Sequence, residues 1–145
     1  MTEAPNLVKV ELRGDDGEVE TLWAFDLGQD RYKLDNTPWY AYGVSTGDVI
    51  EAERSDPDGF PVFKRVVAKS GFRTVRITSD TDFTDDLFKE IEKLGCSFEG
   101  ANRRYVAIDV PPPVELTTVT EFLTERDIRW EHADPTWEEI HSTHA

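Results

Sequence analysis

Cysteine is all but missing from this chain. The single Cys96 permits no internal disulfide and has no thiol partner for a metal or redox motif. It reads as a small buried hydrophobe. No apolar run approaches the roughly 20 residues that a membrane span needs. Met1-Thr2-Glu3-Ala4-Pro5-Asn6 carries neither a basic nor an apolar stretch, so no signal peptide is read and a cytoplasmic location is expected. Positive charge is scarce: 16 Lys and Arg stand against 30 Asp and Glu, a formal net charge of -14. Nucleic acid is bound largely through phosphate neutralisation, so this balance argues against it, and against anionic membrane surfaces. It suits a basic protein or peptide partner, and it also serves plain solubility.

Recognisable catalytic patterns are lacking too. There is no phosphate loop and no dinucleotide fingerprint. The carboxylate pairs Asp15-Asp16, Asp85-Asp86 and Glu138-Glu139 fall in a turn, a helix start and a tail, where local structure explains them. His141 and His144 are spaced i,i+3, but no acidic or Cys ligand accompanies them at a recognised spacing, so no metal is assigned. His132 reads as a satisfied, partly buried histidine among apolar neighbours. No catalytic residue and no cofactor are named.

What is present is architectural. Residues 34–53 read as a strand, an aromatic crossover, a tight glycine turn and a second strand, with Gly43 and Gly47 able to supply positive φ. Before it, residues 7–12 alternate, Gly14-Asp15-Asp16-Gly17 signals a turn, and 19–25 alternate again, giving a hairpin. Residues 31–34, 48–53 and 60–69 add short strands, with turns at 26–30 and 56–59. Short strands at this spacing predict a small antiparallel β-barrel over residues 1–69.

The pattern changes near Ser70-Gly71. A strand at 73–78 precedes a helix with Thr84 as N-cap, Phe83 stapled onto Phe88, an apolar stripe of Leu87, Ile91 and Leu94, and Gly95 at its end. Strands at 96–102 and 104–110 follow, then a helix carrying Leu116, Val119, Phe122 and Leu123, and a closing strand at 128–132. The order β-α-β-β-α-β predicts a ferredoxin-like domain over residues 70–145, with a short C-terminal tail that holds one helical turn after Pro135. The fold class is α+β, in two small domains that pack together.

Two places could bind. Trp39, Tyr40 and Tyr42, approached by Asn36 and Pro38, either plug one end of the barrel or form a recognition lip. The outer face of the second sheet carries Thr74, Arg76, Thr78, Tyr105 and Asp109; it either binds a ligand or packs on the barrel with its polar groups paired.

The run from Leu34 to Val49, with Leu22-Trp23 before it and Ser70-Gly71 and Thr74-Val75-Arg76 after it, resembles the bacterial domain of unknown function 4265 family. The likeness covers nearly the whole chain. It implies a small cytoplasmic protein and no particular reaction. In the family the Ser-Gly pair is followed by His-Ser, whereas this chain has Phe72-Arg73, so any chemistry resting on that histidine is lost here.

The functional expectation is a binding protein without catalytic activity, recognising a protein or peptide, with a basic, immunity-like recognition in view. Its alternative is a small-molecule binder or minor enzyme with a site in the cleft between the domains. The residues expected to bind are Asn36, Trp39, Tyr40, Tyr42, Arg76 and Tyr105.

Overall fold

Alternating apolar and polar residues carry the first half of the chain into strands, and their inward residues close it on itself. The structure, a computed structural model, describes residues 6–14 and 16–141. Residues 1–5, 15 and 142–145, and with them the leader reading, Asp15 and His144, lie outside the described residues. Strands β1 (Leu7–Arg13), β2 (Val19–Gly28), β3 (Arg31–Leu34), β4 (Val49–Glu53) and β5 (Val62–Ala68) pair in order as a closed barrel. All neighbours are antiparallel except the closing pair, where β1 and β5 run parallel through Glu11 and Val62. Val10, Leu12, Leu22, Ala24, Tyr32, Leu34, Ile50 and Ala52 fill the interior. The face of β2 that carries Val19, Thr21 and Trp23 therefore points to solvent.

β2 runs further than its sequence suggests. It continues to Gly28, and the reversal is confined to Gln29 and Asp30, with φ of 56° and 62°. Positive φ at both central residues matches the twist of a two-residue hairpin, so the local Gly-Gln-Asp sequence extends the strand pair.

In the second half, β6 (Arg73–Thr78), β7 (Ser97–Asn102), β8 (Tyr105–Val110) and β9 (Arg129–Asp134) form an antiparallel sheet in the order β7-β8-β6-β9. Helices α1 (Asp85–Lys93) and α2 (Leu116–Glu125) cover one face. α1 starts as its sequence dictates: Thr84 accepts from the Leu87 amide, and Phe83 meets Phe88 edge-on at 6.4 Å. Val75, Ile77, Ile91, Val106, Ile108, Val119 and Leu123 make the core between sheet and helices. A short helix, α3 (Trp137–His141), lies against the β9 edge. Among the described residues no helix is long and apolar enough to cross a membrane.

The opposite face of the sheet is buried as well, although it is polar. Thr74 and Arg76 are 0% and 1% exposed, and Asp109 and Asp134 are each 4% exposed. What covers them is the crossover 35–48, which lies between barrel and sheet. Its apolar residues Ala41 and Val44 enter the barrel core, so they, and not the aromatics, complete it.

Gly47 closes that crossover with φ of 81°, and a Cβ there would meet Ser70 Cβ at 3.0 Å. Gly17 has φ of 88° but no described residue within 4 Å of a Cβ. Gly47→Ala is therefore expected to lower unfolding free energy by more than Gly17→Ala, which carries only the conformational cost of about 1 kcal/mol. Urea denaturation of the two variants checks the order.

Candidate functional site

The crossover is fastened to the sheet by a run of buried hydrogen bonds. The Asp48 carboxylate, fully buried, accepts from the amides of Ser45 (2.9 Å) and Ser70 (2.8 Å) and from Lys69 Nζ (2.6 Å). Lys69 also donates to Asp134 (2.5 Å) and to the Gly43 carbonyl (3.1 Å), so all three of its protons find acceptors. Burial works against the Lys69 charge, but the bonds to Asp134 and Asp48 prevail and raise its pKa. Ser45 Oγ donates to Asp134 (2.5 Å) and lies 2.7 Å from the Thr74 hydroxyl, which then donates to it. A backbone bond from Gly43 N to Ala133 O (2.7 Å) ties the crossover to β9.

Two further carboxylates serve the same joint. Glu20, 7% exposed, accepts from the successive amides of Trp39, Tyr40 and Ala41 at 2.8, 2.9 and 3.0 Å. Asp109 accepts from the Thr37 hydroxyl (2.5 Å) and from Ser97 (3.3 Å). Burial pushes the Asp109 carboxyl up to about 6, although the Thr37 bond draws it down.

The six residues singled out from sequence separate into two groups. Tyr40, Tyr42, Arg76 and Tyr105 come together. Arg76 Nη2 donates to the carbonyls of Pro38 (3.2 Å) and Ala41, and its guanidinium lies 4.9 Å from the Tyr42 ring. Tyr105 donates to the Trp39 carbonyl, and its ring is 5.9 Å from that of Tyr40. Tyr42 donates to Glu131 at 2.9 and 3.0 Å. Burial, then this bond, pushes the Tyr42 hydroxyl up to about 12. Asn36 and Trp39 lie elsewhere: Asn36 accepts from the Trp23 amide (2.8 Å), and Trp39 Nε1 donates to the Glu99 carbonyl (3.3 Å). Burial raises the Glu99 carboxyl, with bonds from Thr37 and Asn36 opposing.

Beside the first group the surface opens into two hollows. The smaller, about 270 Å³, is bounded by Asp16, Glu18, Tyr40, Tyr42, Arg76, Tyr105 and Glu131. The larger, about 640 Å³, is bounded by Asp16, Tyr42, Trp130, Glu131, His132, Thr136, Trp137, Glu138 and His141. They share Asp16, Tyr42 and Glu131, and together make one cleft between the β1–β2 turn, the crossover and β9–α3. His132 departs from expectation. Its Nδ1 is buried with no hydrogen-bond partner among the described residues, while its ring meets Trp130 edge-on at 4.9 Å. Burial, then the proximity of His141, lowers its pKa. Sequence reasoning missed Glu131, Glu18, Trp130 and Trp137. Only Glu131 left a trace: it alternates onto the face of Arg76, its register partner across β6 and β9. Among the described residues no group of three or more His, Cys, Asp or Glu side chains could hold a metal ion.

This is a mixed α+β protein in which a closed five-stranded barrel is fastened to an antiparallel sheet with helices. The chain belongs to the family described as a domain of unknown function (DUF4265), whose profile matches residues 20–133. A crystal structure of a hypothetical protein from Neisseria gonorrhoeae has the same fold, with a TM-score of 0.71 over 92% of this chain and 97% of that chain. The two are 16% identical, so the likeness speaks for fold alone. No curated protein matches the chain.

Two stability tests follow from the joint. Lys69→Met leaves Asp48 and Asp134 facing each other without their shared cation. The lysine is half-exposed, so the expected loss is about 2–3 kcal/mol, below the roughly 3–5 kcal/mol of breaking a fully buried pair. Denaturant unfolding near pH 7 measures it. Asp109 has a folded pKa above its unfolded one, so the native state binds its proton more tightly. Its contribution is most favourable below pH 4 and is lost as pH rises towards 6. Asp109→Asn removes that dependence. The stability of the variant relative to wild type should rise by on the order of 2–3 kcal/mol between pH 4 and pH 7. A flat difference across that range would show that Asp109 titrates normally.

Proposed function

We propose that this chain is a cytoplasmic binding protein without catalytic activity, and that it recognises a basic protein or peptide, as acidic immunity proteins do. One observation supports this above others. The cleft at the joint combines the carboxylates of Asp16, Glu18, Glu131 and Glu138 with the rings of Tyr40, Tyr42, Tyr105, Trp130 and Trp137. Carboxylates draw a cation in, and aromatic faces hold it once it is partly desolvated. Among the described residues Arg76 is the one basic side chain besides the histidines on its walls, and it is already engaged with crossover carbonyls and Tyr42. The net charge of -14 adds long-range attraction for a basic partner.

The reading assigns residues 1–69 to a barrel domain and 70–145 to a ferredoxin-like one. The element order β-α-β-β-α-β and the strand order β7-β8-β6-β9 support it. Of the residues first expected to bind, it keeps Tyr40, Tyr42, Arg76 and Tyr105 at the site. Asn36 and Trp39 become structural, because their polar groups are spent on Trp23 and Glu99.

A second reading places a small molecule, or the substrate of a minor enzyme, in the same cleft. The unpartnered Nδ1 of His132 favours it, because a buried polar atom ordinarily has a partner.

Affinity capture from host lysate at low and high salt separates the two, with a D16N/E131Q/E138Q variant run in parallel. The expected result is a basic protein retained at low salt, released at high salt, and captured less by the variant. Capture of no protein, with a co-purifying small molecule that raises Tm, would favour the second reading.

A further inference from the structure

Arg76 is the most deeply buried charged side chain in the cleft, at 1% exposure, and it is only half satisfied. Its Nη2 serves the Pro38 and Ala41 carbonyls, but among the described residues Nε and Nη1 find no hydrogen-bond partner. Glu131 Oε1 stands 4.0 Å from Nη1, beyond hydrogen-bond reach. Buried donors are nearly always paired, so an orphaned guanidinium edge beside a hollow calls for an oxygen acceptor.

The surroundings decide which kind of oxygen. Asp16, Glu18 and Glu131 border the same 270 Å³ space, so carboxylates outnumber the guanidinium three to one. A free anion at Arg76 would be repelled by Glu131 and the other rim carboxylates. A neutral carbonyl oxygen satisfies the N–H groups without that repulsion. The surplus negative charge then favours a cation attached to the same molecule. An amide carbonyl next to a cationic side chain is what a lysine or arginine residue offers.

The cover over Arg76 is able to move. The Tyr42 ring and the Glu131 carboxylate lie over it, and they are 40% and 49% exposed. Their mutual bond is a surface bond, and neither belongs to the barrel core or the helix-side core. The hollow continues into the larger one through Asp16, Tyr42 and Glu131, which leaves an extended chain somewhere to run.

We propose that the hollow beside Arg76 receives a lysine or arginine residue of a basic peptide segment. The backbone carbonyl of that residue accepts from Arg76 Nε and Nη1 as Tyr42 swings aside. Its cationic side chain meets the rim carboxylates Asp16, Glu18 and Glu131. The proposal rests on the basic-partner reading above and gives it an anchor.

The test follows the Arg76 side-chain Nε–H resonance of the full ¹⁵N-labelled chain, assigned by its loss in Arg76→Lys. The probes are acetyl-Gly-Arg-Gly-amide, the same peptide with Glu in place of Arg, the triglycine peptide, and n-butylguanidinium, which has the single cation without the carbonyl. The arginine peptide should shift the Arg76 resonance saturably, and the other three should bind about tenfold more weakly or not at all. Glu131→Gln, a half-exposed position, should weaken the arginine peptide several-fold while leaving the rest of the spectrum in place. A resonance unmoved by the arginine peptide, equal response to the glutamate peptide, or full affinity in Glu131→Gln would each overturn the proposal. If a basic partner is still captured in a salt-dependent way while Arg76 stays silent, the partner reading stands and this anchor falls. If neither responds, both fall.

Discussion

A sheet face that carries hydroxyls, carboxylates and a guanidinium can be buried only against something equally polar. That constraint governs this molecule. Thr74, Arg76, Asp109 and Asp134 are almost inaccessible, and each finds its partner in the crossover between β3 and β4 or in Lys69 at the joint. The crossover supplies backbone carbonyls at Pro38, Ala41 and Gly43, and hydroxyls at Thr37 and Ser45. An apolar segment in its place would leave several buried charges unpaired, each at a cost of a few kcal/mol.

The residues that resemble the family are largely the residues of this joint. Gly43 and Gly47 turn the chain at positive φ; Ser45 and Asp48 reach across to Asp134, Thr74, Lys69 and Ser70. Asn36 holds the crossover to β2. A motif that looks like a binding signature is thus mostly spent on joining barrel to sheet. What is left for recognition is the outer margin of the same joint, where Tyr42, Glu131, Trp130 and Trp137 face an open cleft.

Local structure was readable from sequence, because local rules set it. Alternation marked β1, and the Thr84 cap and Gly95 bracketed α1. β2 ran past its expected end because Gln29 and Asp30 adopt the positive φ usually left to glycine or asparagine. The site was readable only in part. Arg76 and Tyr105 could be placed on one face by register alone, but which way the aromatics of the crossover turn is set by contacts up to 89 residues distant, such as Ser45 with Asp134 and Tyr42 with Glu131. Glu131 was marked only by its register with Arg76, and Trp137 gave no warning. A tryptophan in a five-residue helix fits no pattern until the chain is folded.

If buried polar contacts weld the two halves, neither half can open alone without exposing unpaired charges in the other. Urea unfolding of the full chain with 5-fluorotryptophan tests this directly, because Trp23 reports on the barrel and Trp130 on the sheet. Coincident midpoints for the two resonances are the expected result. A barrel that melts at a clearly different urea concentration from the sheet would contradict it, and would reduce the joint to a surface contact.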